Sequence, residues 1–187
     1  GPVFIRRGCG RVVIMASSVV LQGMPPVLSP ATRLVILGSF PGVASLRAQQ
    51  YYGHPQNQFW RLLATLLTDD PTALQQAPYA DRLSWLLAQG LGVWDVYASC
   101  EREGSLDSAI RAPVLNDLAS LRMHCPQLTA LAHNGGESFR HARHTQALGL
   151  PVYRLPSSSP ANASWSFERK LAAWREVLQH AGCLTRR

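Results

Sequence analysis

Residues 33–60 read RLVILGSFPGVASLRAQQYYGHPQNQFW, and this stretch contains the strand and turn that decide the predicted fold. Residues 34–37 form a continuous apolar run, as expected for a strand buried on both faces of a parallel sheet. Gly38, Pro41 and Gly42 then turn the chain at the carboxyl end of that strand, where open α/β sheets bind their ligands. The sequence therefore predicts a ligand pocket directly after this strand.

A polar and aromatic loop follows the turn and leads into an apolar-periodic helix, predicted over residues 59–67. Asn57 stands at the start of that helix, where Asn is a preferred cap because its side-chain oxygen accepts a backbone N–H. The same amide, beside the Tyr52 ring, is also suited to hold the edge and the face of a planar base. Tyr52 has a simpler alternative as partly buried packing. Both residues thus carry a structural and a binding interpretation.

The rest of the chain alternates apolar strands with helical periodicity, which predicts an α/β fold. We expect a three-layer α/β/α sandwich around a central, mostly parallel four-stranded sheet, forming a single domain over residues 25–183. The predicted strands are 34–37, 92–97, 128–132 and 152–155, and the predicted helices are 59–67, 79–89, 114–124, 137–148 and 166–180.

Residues 1–24 are predicted to be an N-terminal extension outside the fold. Gly1 and Pro2 are interpreted as a remnant of an expression vector, and Met15 as an internal start. The predicted domain therefore begins at Pro25.

The charge of the chain favours a polyanionic partner. Its 187 residues carry a formal net charge of +7. Of the 18 basic residues, Lys170 is the single lysine and the other 17 are arginines, whose planar guanidinium suits phosphate. No apolar run approaches the roughly 20 residues that cross a bilayer, so we expect no membrane partner.

The cysteines predict neither a metal nor an iron–sulfur cofactor. Cys9, Cys100, Cys125 and Cys183 are far apart and show no CxxC or Cys/His spacing. Isolated reduced thiols are the default in the cytoplasm, which is the expected location.

Three segments resemble, in order, the motifs of the uracil-DNA glycosylase superfamily, and most of all its hypoxanthine-DNA glycosylase (deoxyinosine glycosylase) branch. They are GSFPGVAS (38–45), YYGHPQNQFW (51–60) and LPSSSPANA (155–163). The resemblance runs from about Pro25 to Leu178. It implies a cofactor-free, monomeric base-excision-repair enzyme that works at the bacterial nucleoid. Such an enzyme flips a deaminated base, above all hypoxanthine, out of double- or single-stranded DNA and hydrolyses its N-glycosidic bond.

The resemblance also implies roles for single residues. Tyr52 stacks on the flipped base, while Asn57 holds the base edge and carries the catalysis. Phe40 stands where mismatch-specific relatives have a water-handling Asn, and Leu155 where relatives have a His or Asn. This departure argues against uracil chemistry by the common route and matches the hypoxanthine branch. The other expected base-binding residues are Gly38, Ser39, Phe40, Pro41, Gly42 and Asn134.

For each of two loops the sequence allows both a structural interpretation and a binding interpretation. The loop Pro156, Ser157, Ser158, Ser159, Pro160 is either a solvated turn or a DNA-binding loop whose hydroxyl and N–H groups contact phosphates. Asn134 precedes Gly135, and an Asn-Gly pair signals a turn, although it follows a predicted strand at the pocket edge.

The chemistry is predicted to stop at base release. A glycosylase that also nicks the strand needs an amine nucleophile, and Lys170 is predicted to lie in a packing helix. Uracil excision, a non-catalytic DNA-binding member of the superfamily and a hydrolase of free nucleosides remain alternatives. Asp95, Glu101 and Asp107 match no motif, so the sequence identifies no general base.

Overall fold

The computed structural model describes residues 3–8, 11–16 and 19–184, with side chains from residue 19 onward. The strands are β1 (Val3–Gly8), β2 (Arg11–Ala16), β3 (Val20–Gln22), β4 (Leu34–Gly38), β5 (Leu91–Asp95), β6 (Tyr97–Glu101), β7 (Arg111–Leu115), β8 (Ala130–Asn134) and β9 (Val152–Leu155). The α-helices are α1 (Val43–Ala48), α2 (Phe59–Leu67), α3 (Pro71–Gln76), α4 (Tyr79–Ala88), α5 (Leu121–His124), α6 (Gly136–Phe139), α7 (Ala142–Gln146) and α8 (Phe167–His180).

The central sheet confirms the predicted α/β class. Its four strands run parallel in the order β5-β4-β8-β9, and every residue of β4 is buried. Parallel strands of this kind read as continuous apolar runs because helices cover both of their faces. In this register Gly38 lies opposite Asp95, so the carboxyl ends of β4 and β5 meet at one edge of the sheet.

Two apolar cores lie on the two sides of the sheet. One is built around Phe59 of α2, Leu86 of α4 and Trp174 of α8. The other contains Leu121 of α5 and Tyr97 of β6. The fold therefore has three layers. Helices α2, α4 and α8 lie on one side of the central sheet, and the layer on its other side includes α5 and the small antiparallel sheet β3-β6-β7. Within the described ranges, no helix has the length and apolar character required to cross a membrane.

The region after β5 differs from the prediction. The predicted strand 92–97 is two strands, because β5 pairs with β4 only as far as Asp95 and the chain from Tyr97 pairs antiparallel with β7 in the small sheet. The predicted helix 114–124 is wrong at its start and confirmed over its second part. Val114 belongs to β7, an exposed edge strand where Pro113 is tolerated, whereas a 3₁₀ turn (Leu118–Ser120) runs directly into α5.

The predicted helix 137–148 is two short helices, α6 and α7. Buried His133 of β8 lies between them, with its ring nitrogens 2.8 Å from the hydroxyls of Ser138 and Thr145. Burial lowers the pKa of His133 to about 4, so the ring is neutral at pH 7. Helices α1 and α3 had no counterpart in the prediction. Both are six residues long, too short to show a clear apolar period.

Part of the predicted N-terminal extension packs with the domain. Strand β3 pairs antiparallel with β6, and Met24 lies in the core beside α2. Strands β1 and β2 pair with each other, and Met15 lies in β2. Gly1 and Pro2 lie outside the described residues.

Candidate active site

A cleft of about 890 Å³ opens at the carboxyl ends of the central strands, where the sequence predicts a pocket. Segments that are distant in the chain meet there: the turn after β4, the loop before α2, the end of β8 and the loop of residues 156–160 after β9, called the serine loop below. The residues predicted for the site all line this cleft, namely Gly38, Ser39, Phe40, Pro41, Gly42, Tyr52, Asn57, Asn134, Pro156, Ser157, Ser158, Ser159 and Pro160.

Asn134 joins these segments through its side-chain amide. Its Nδ2 group donates to the Tyr52 hydroxyl at 3.2 Å and to the Ser158 hydroxyl at 2.9 Å, and its Oδ1 accepts from the Ser158 N–H at 3.0 Å. Both N–H donors of the amide are thereby used within the protein. Donation from Asn134 to a ligand would require one of these bonds to break.

Tyr52 forms one wall of the cleft in a constrained geometry. Its φ is +56°, in the left-handed region that non-glycine residues seldom adopt. The ring stacks on Phe59 at 3.9 Å between centroids, with 15° between the planes. One face of the Tyr52 ring is thus occupied by Phe59. Burial raises the pKa of the hydroxyl above its usual value, so it is protonated at pH 7.

Asn57 lies one residue before Gln58, the N-cap of α2, so the predicted capping role is wrong. Its Oδ1 accepts the N–H of Phe59 at 3.0 Å, which forms an Asx turn at the entry to the helix. Among the residues that the structure describes, its Nδ2 group makes no hydrogen bond. The turn therefore orients the amide and leaves a half-buried N–H donor at the lining of the cleft.

The apolar replacements in the two outer motifs are packing residues. Phe40 is 7% exposed in the core on the α5 side, and the guanidinium of Arg102 lies 5.3 Å from its ring centroid. Leu155 is buried in the other core, beside α2 and α8. The polar groups of the first turn come from Ser39 instead, whose hydroxyl donates to Asp107 Oδ1 at 2.6 Å.

The serine loop is anchored to the protein, which a purely solvated turn would not be. Ser158 is buried, and its carbonyl accepts the N–H of Gln58 at 2.9 Å. Lys170 is only 2% exposed, and its ammonium donates to Gln58 Oε1 at 3.0 Å and to the Ser159 carbonyl at 3.5 Å. Burial lowers the pKa of this lysine. Helix α8 is a packing element as predicted, and Lys170 also ties the loop to α2.

The sequence-based prediction assigned no role to Asp95, whereas the structure places this residue in the cleft. It ends β5 and is 5% exposed. Desolvation by burial, with a smaller contribution from the charge of Asp107, raises its pKa to about 7, although Arg102 opposes the shift. The sequence does contain a signal for this position, namely a single carboxylate at the end of an apolar strand. Parallel strands place such residues at the edge of the sheet where ligands bind.

Comparisons with known proteins match this arrangement. The sequence profile described as the uracil DNA glycosylase superfamily matches residues 25–180. The chain is similar to proteins named hypoxanthine DNA glycosylase from Methanosarcina barkeri (38% identity, covering 84% of this chain and 98% of the relative) and Methanosarcina acetivorans (37%, 85% and 98%). It also resembles a solution NMR structure of a candidate uracil DNA glycosylase from Methanosarcina acetivorans, with a TM-score of 0.77, 36% identity and coverage of 88% of this chain and 99% of that one.

The Asn134 connection predicts a stability difference between two asparagines of this region. Asn134→Ala leaves the buried Ser158 N–H without its partner, and we expect it to lower the free energy of unfolding by about 1–3 kcal/mol. Asn162→Ala removes two long bonds, one of 3.4 Å to the Ser157 carbonyl and an exposed one of 3.2 Å from the Ser164 hydroxyl, and is expected to stay within about 0.5 kcal/mol of the parent. Urea unfolding of both variants measures this, and equal losses would contradict it.

Proposed function

Because this chain belongs to the uracil DNA glycosylase superfamily, we propose that it is a monofunctional DNA glycosylase that releases hypoxanthine from deoxyinosine in DNA. One observation carries the proposal: Tyr52, Asn57 and the serine loop, from three separate motifs, line one cleft at the carboxyl edge of the sheet. The two relatives named for hypoxanthine supply the choice of base. The positive net charge of +7 supports a DNA substrate over a free nucleoside.

The substrate nucleotide must leave the base stack before it can react, because the glycosidic bond and the base edge are inaccessible within a duplex. The cleft is large enough for one flipped nucleotide. Pro160 is exposed beyond the anchored Ser158, so this loop presents its outer part to the DNA backbone. Its hydroxyl and N–H groups are proposed to contact phosphates and to hold the strand while the base is extruded.

In the proposed complex the base stacks on the free face of Tyr52, whose other face is held by Phe59. The Asn57 Nδ2 group donates to the base and stabilises the negative charge that develops as the base leaves. Its carbonyl oxygen is committed to the Phe59 N–H, so the amide has one orientation. Water then attacks a sugar of oxocarbenium character, and the polar backbone of the Ser39 to Gly42 turn is proposed to position it.

We also propose that the protein acts as a monomer in the cytoplasm and works on the bacterial nucleoid.

A substrate panel tests the proposed activity. The protein is incubated under single-turnover conditions with duplexes that carry one deoxyinosine, deoxyuridine or deoxyxanthosine, and alkali-labile sites are measured. We expect the fastest release from deoxyinosine. Faster release from deoxyuridine would assign the protein to uracil excision instead, while DNA binding without release from any substrate would indicate a non-catalytic member of the superfamily.

Substitutions at Asn57 separate its structural role in the turn before α2 from its proposed catalytic role. Asn57→Asp keeps an acceptor for the Phe59 N–H but loses the Nδ2 donor, so the fold should remain while deoxyinosine cleavage falls about 10²–10³-fold. Asn57→Ala should lose cleavage to a similar degree, with DNA affinity little changed because phosphate contacts dominate it. Gln56→Ala, an exposed amide of the same loop, is the control and should cleave at the parental rate. Wild-type cleavage by Asn57→Asp would remove Asn57 from the mechanism.

The reaction is expected to end at an abasic site. A lyase step needs an accessible amine, whereas Lys170 is buried and hydrogen-bonded to Gln58. Borohydride added during turnover of deoxyinosine DNA should therefore trap no protein–DNA adduct, and strands should break only after alkali or heat. A bifunctional glycosylase provides the positive control. An adduct that disappears in Lys170→Met would overturn the monofunctional proposal.

A further inference from the structure

The proton that the attacking water must lose has no acceptor side chain on the turn after β4. The proposed function places the water at this turn, yet Phe40 packs into the core and the Ser39 hydroxyl is used as a donor to Asp107. A positioned base that takes such a proton accelerates a reaction about 10²–10⁴-fold. A base for this step would have to come from another segment of the cleft.

The loop between β6 and β7 is held against this turn at both ends of the turn. The Ser105 hydroxyl accepts the Val43 N–H at 2.9 Å, and Asp107 Oδ1 accepts the Ser39 hydroxyl at 2.6 Å. Ser105 and Asp107 both line the cleft. The loop therefore follows the turn along its length and brings a carboxylate to its first residue.

The bond to Ser39 orients the Asp107 carboxylate and uses only one of its two oxygens. Oδ1 accepts from Ser39, whereas Oδ2 makes no hydrogen bond to any described residue. Asp107 is an exposed residue of the cleft lining, so water can reach the second oxygen. An ionised carboxylate oxygen accepts hydrogen bonds and donates none. Asp107 thus offers an oriented acceptor beside the turn.

The surroundings of Asp107 also suit a base. The walls of the cleft partly desolvate the carboxylate and raise its pKa, and the charge of Glu137 adds to this shift, while the bond from Ser39 and the charge of Arg102 oppose it. A raised pKa makes the carboxylate a stronger base. The charge of Asp107 in turn raises the pKa of Tyr52, so the carboxylate lies within electrostatic range of the wall on which the base is proposed to stack.

Two other side chains of the cleft lining can accept a proton at neutral pH, but neither bonds to the turn among the described residues. Asp95 is 5% exposed, so water reaches little of it, and its pKa of about 7 keeps a substantial fraction protonated. His54 belongs to the loop before α2, where its Nδ1 accepts the Gln56 N–H at 3.1 Å. Of the three groups, Asp107 is the one that is both exposed and hydrogen-bonded to the turn.

We infer that Asp107 is the general base of the reaction and takes a proton from the water that attacks C1′ of the flipped nucleotide. This inference rests on the proposed function and assigns the step for which the sequence identified no residue. The water oxygen bonds to C1′ while Asp107 Oδ2 takes one of its protons, and the bond from C1′ to the base breaks with its electron pair going to the base. Asn57 stabilises the charge on the base, which solvent then protonates, and Asp107 returns its proton to solvent. The loop between β6 and β7 thereby supplies the group that Phe40 cannot.

An isosteric substitution tests the basicity of Asp107. Asp107→Asn keeps an acceptor for the Ser39 hydroxyl but cannot take a proton, so single-turnover release of hypoxanthine should fall about 10²-fold. DNA affinity should not fall, because the change removes a negative charge. Glu103→Gln is the matched control, since Glu103 is an exposed carboxylate of the same loop and is not among the described residues that line the cleft. It should cleave at the parental rate, whereas parental cleavage by Asp107→Asn would overturn the inference.

Azide distinguishes the loss of a base from a loss of structure. The azide anion is a nucleophile without a proton to lose, so it can attack C1′ where water has no base to assist it. Added azide should raise hypoxanthine release by Asp107→Ala about tenfold or more and form a glycosyl azide in the strand, which mass spectrometry detects. Asn57→Ala should not respond, because its defect concerns the leaving base. A folded Asp107→Ala that ignores azide would contradict the inference, and Asp107→Asn decides the matter if thermal unfolding shows that Asp107→Ala does not fold.

The outcomes separate this inference from the proposed function. If the wild type releases uracil but no hypoxanthine, the proposed base is wrong, and the same variants are measured on deoxyuridine DNA. If the wild type releases hypoxanthine and Asp107→Asn matches it, only the Asp107 inference fails. An azide response in His54→Ala in place of Asp107→Ala would give the proton to His54 and would also reject the inference. Release of neither base by the wild type would end both.

Discussion

The hydrogen bonds of the Asn134 amide are the interaction on which the site depends. They connect the end of β8 to Tyr52 and to Ser158, two residues that belong to other motifs. Because these bonds are buried, losing any of them would leave unpaired polar groups, so the three segments keep one arrangement. The wall, the loop and the end of the sheet therefore form one preorganised cleft. Preorganisation matters in a glycosylase because its donors must already point at charge that develops only as the base leaves.

The Asn57 amide has separate uses for its two ends. Its oxygen forms the turn before α2 by accepting the Phe59 N–H, and its nitrogen makes no hydrogen bond among the described residues. A structural role and the proposed catalytic role are therefore compatible, since an amide has a separate donor and acceptor. The turn also fixes the orientation in which the amide lines the cleft.

Close packing explains the apolar residues at Phe40 and Leu155. Each belongs to one of the two cores, on opposite sides of the sheet. Their side chains support the walls of the cleft, and the polar character of its floor comes from Asp95, opposite Gly38. The cleft thus combines apolar support from the two cores with polar side chains along its lining.

The sequence alone determined the parallel sheet and the edge where the ligand binds, because the apolar runs and the Gly/Pro turn are local signals in the chain. It also identified the residues that line the cleft, through motifs that are contiguous. The tertiary structure decided what local patterns cannot encode. Val114 became part of an edge strand because β6 offered a partner. Asp95 and Asn134, 39 positions apart, line one cleft only because the ends of β5 and β8 lie on either side of β4, and pairing across a sheet depends on contacts that are remote in the chain.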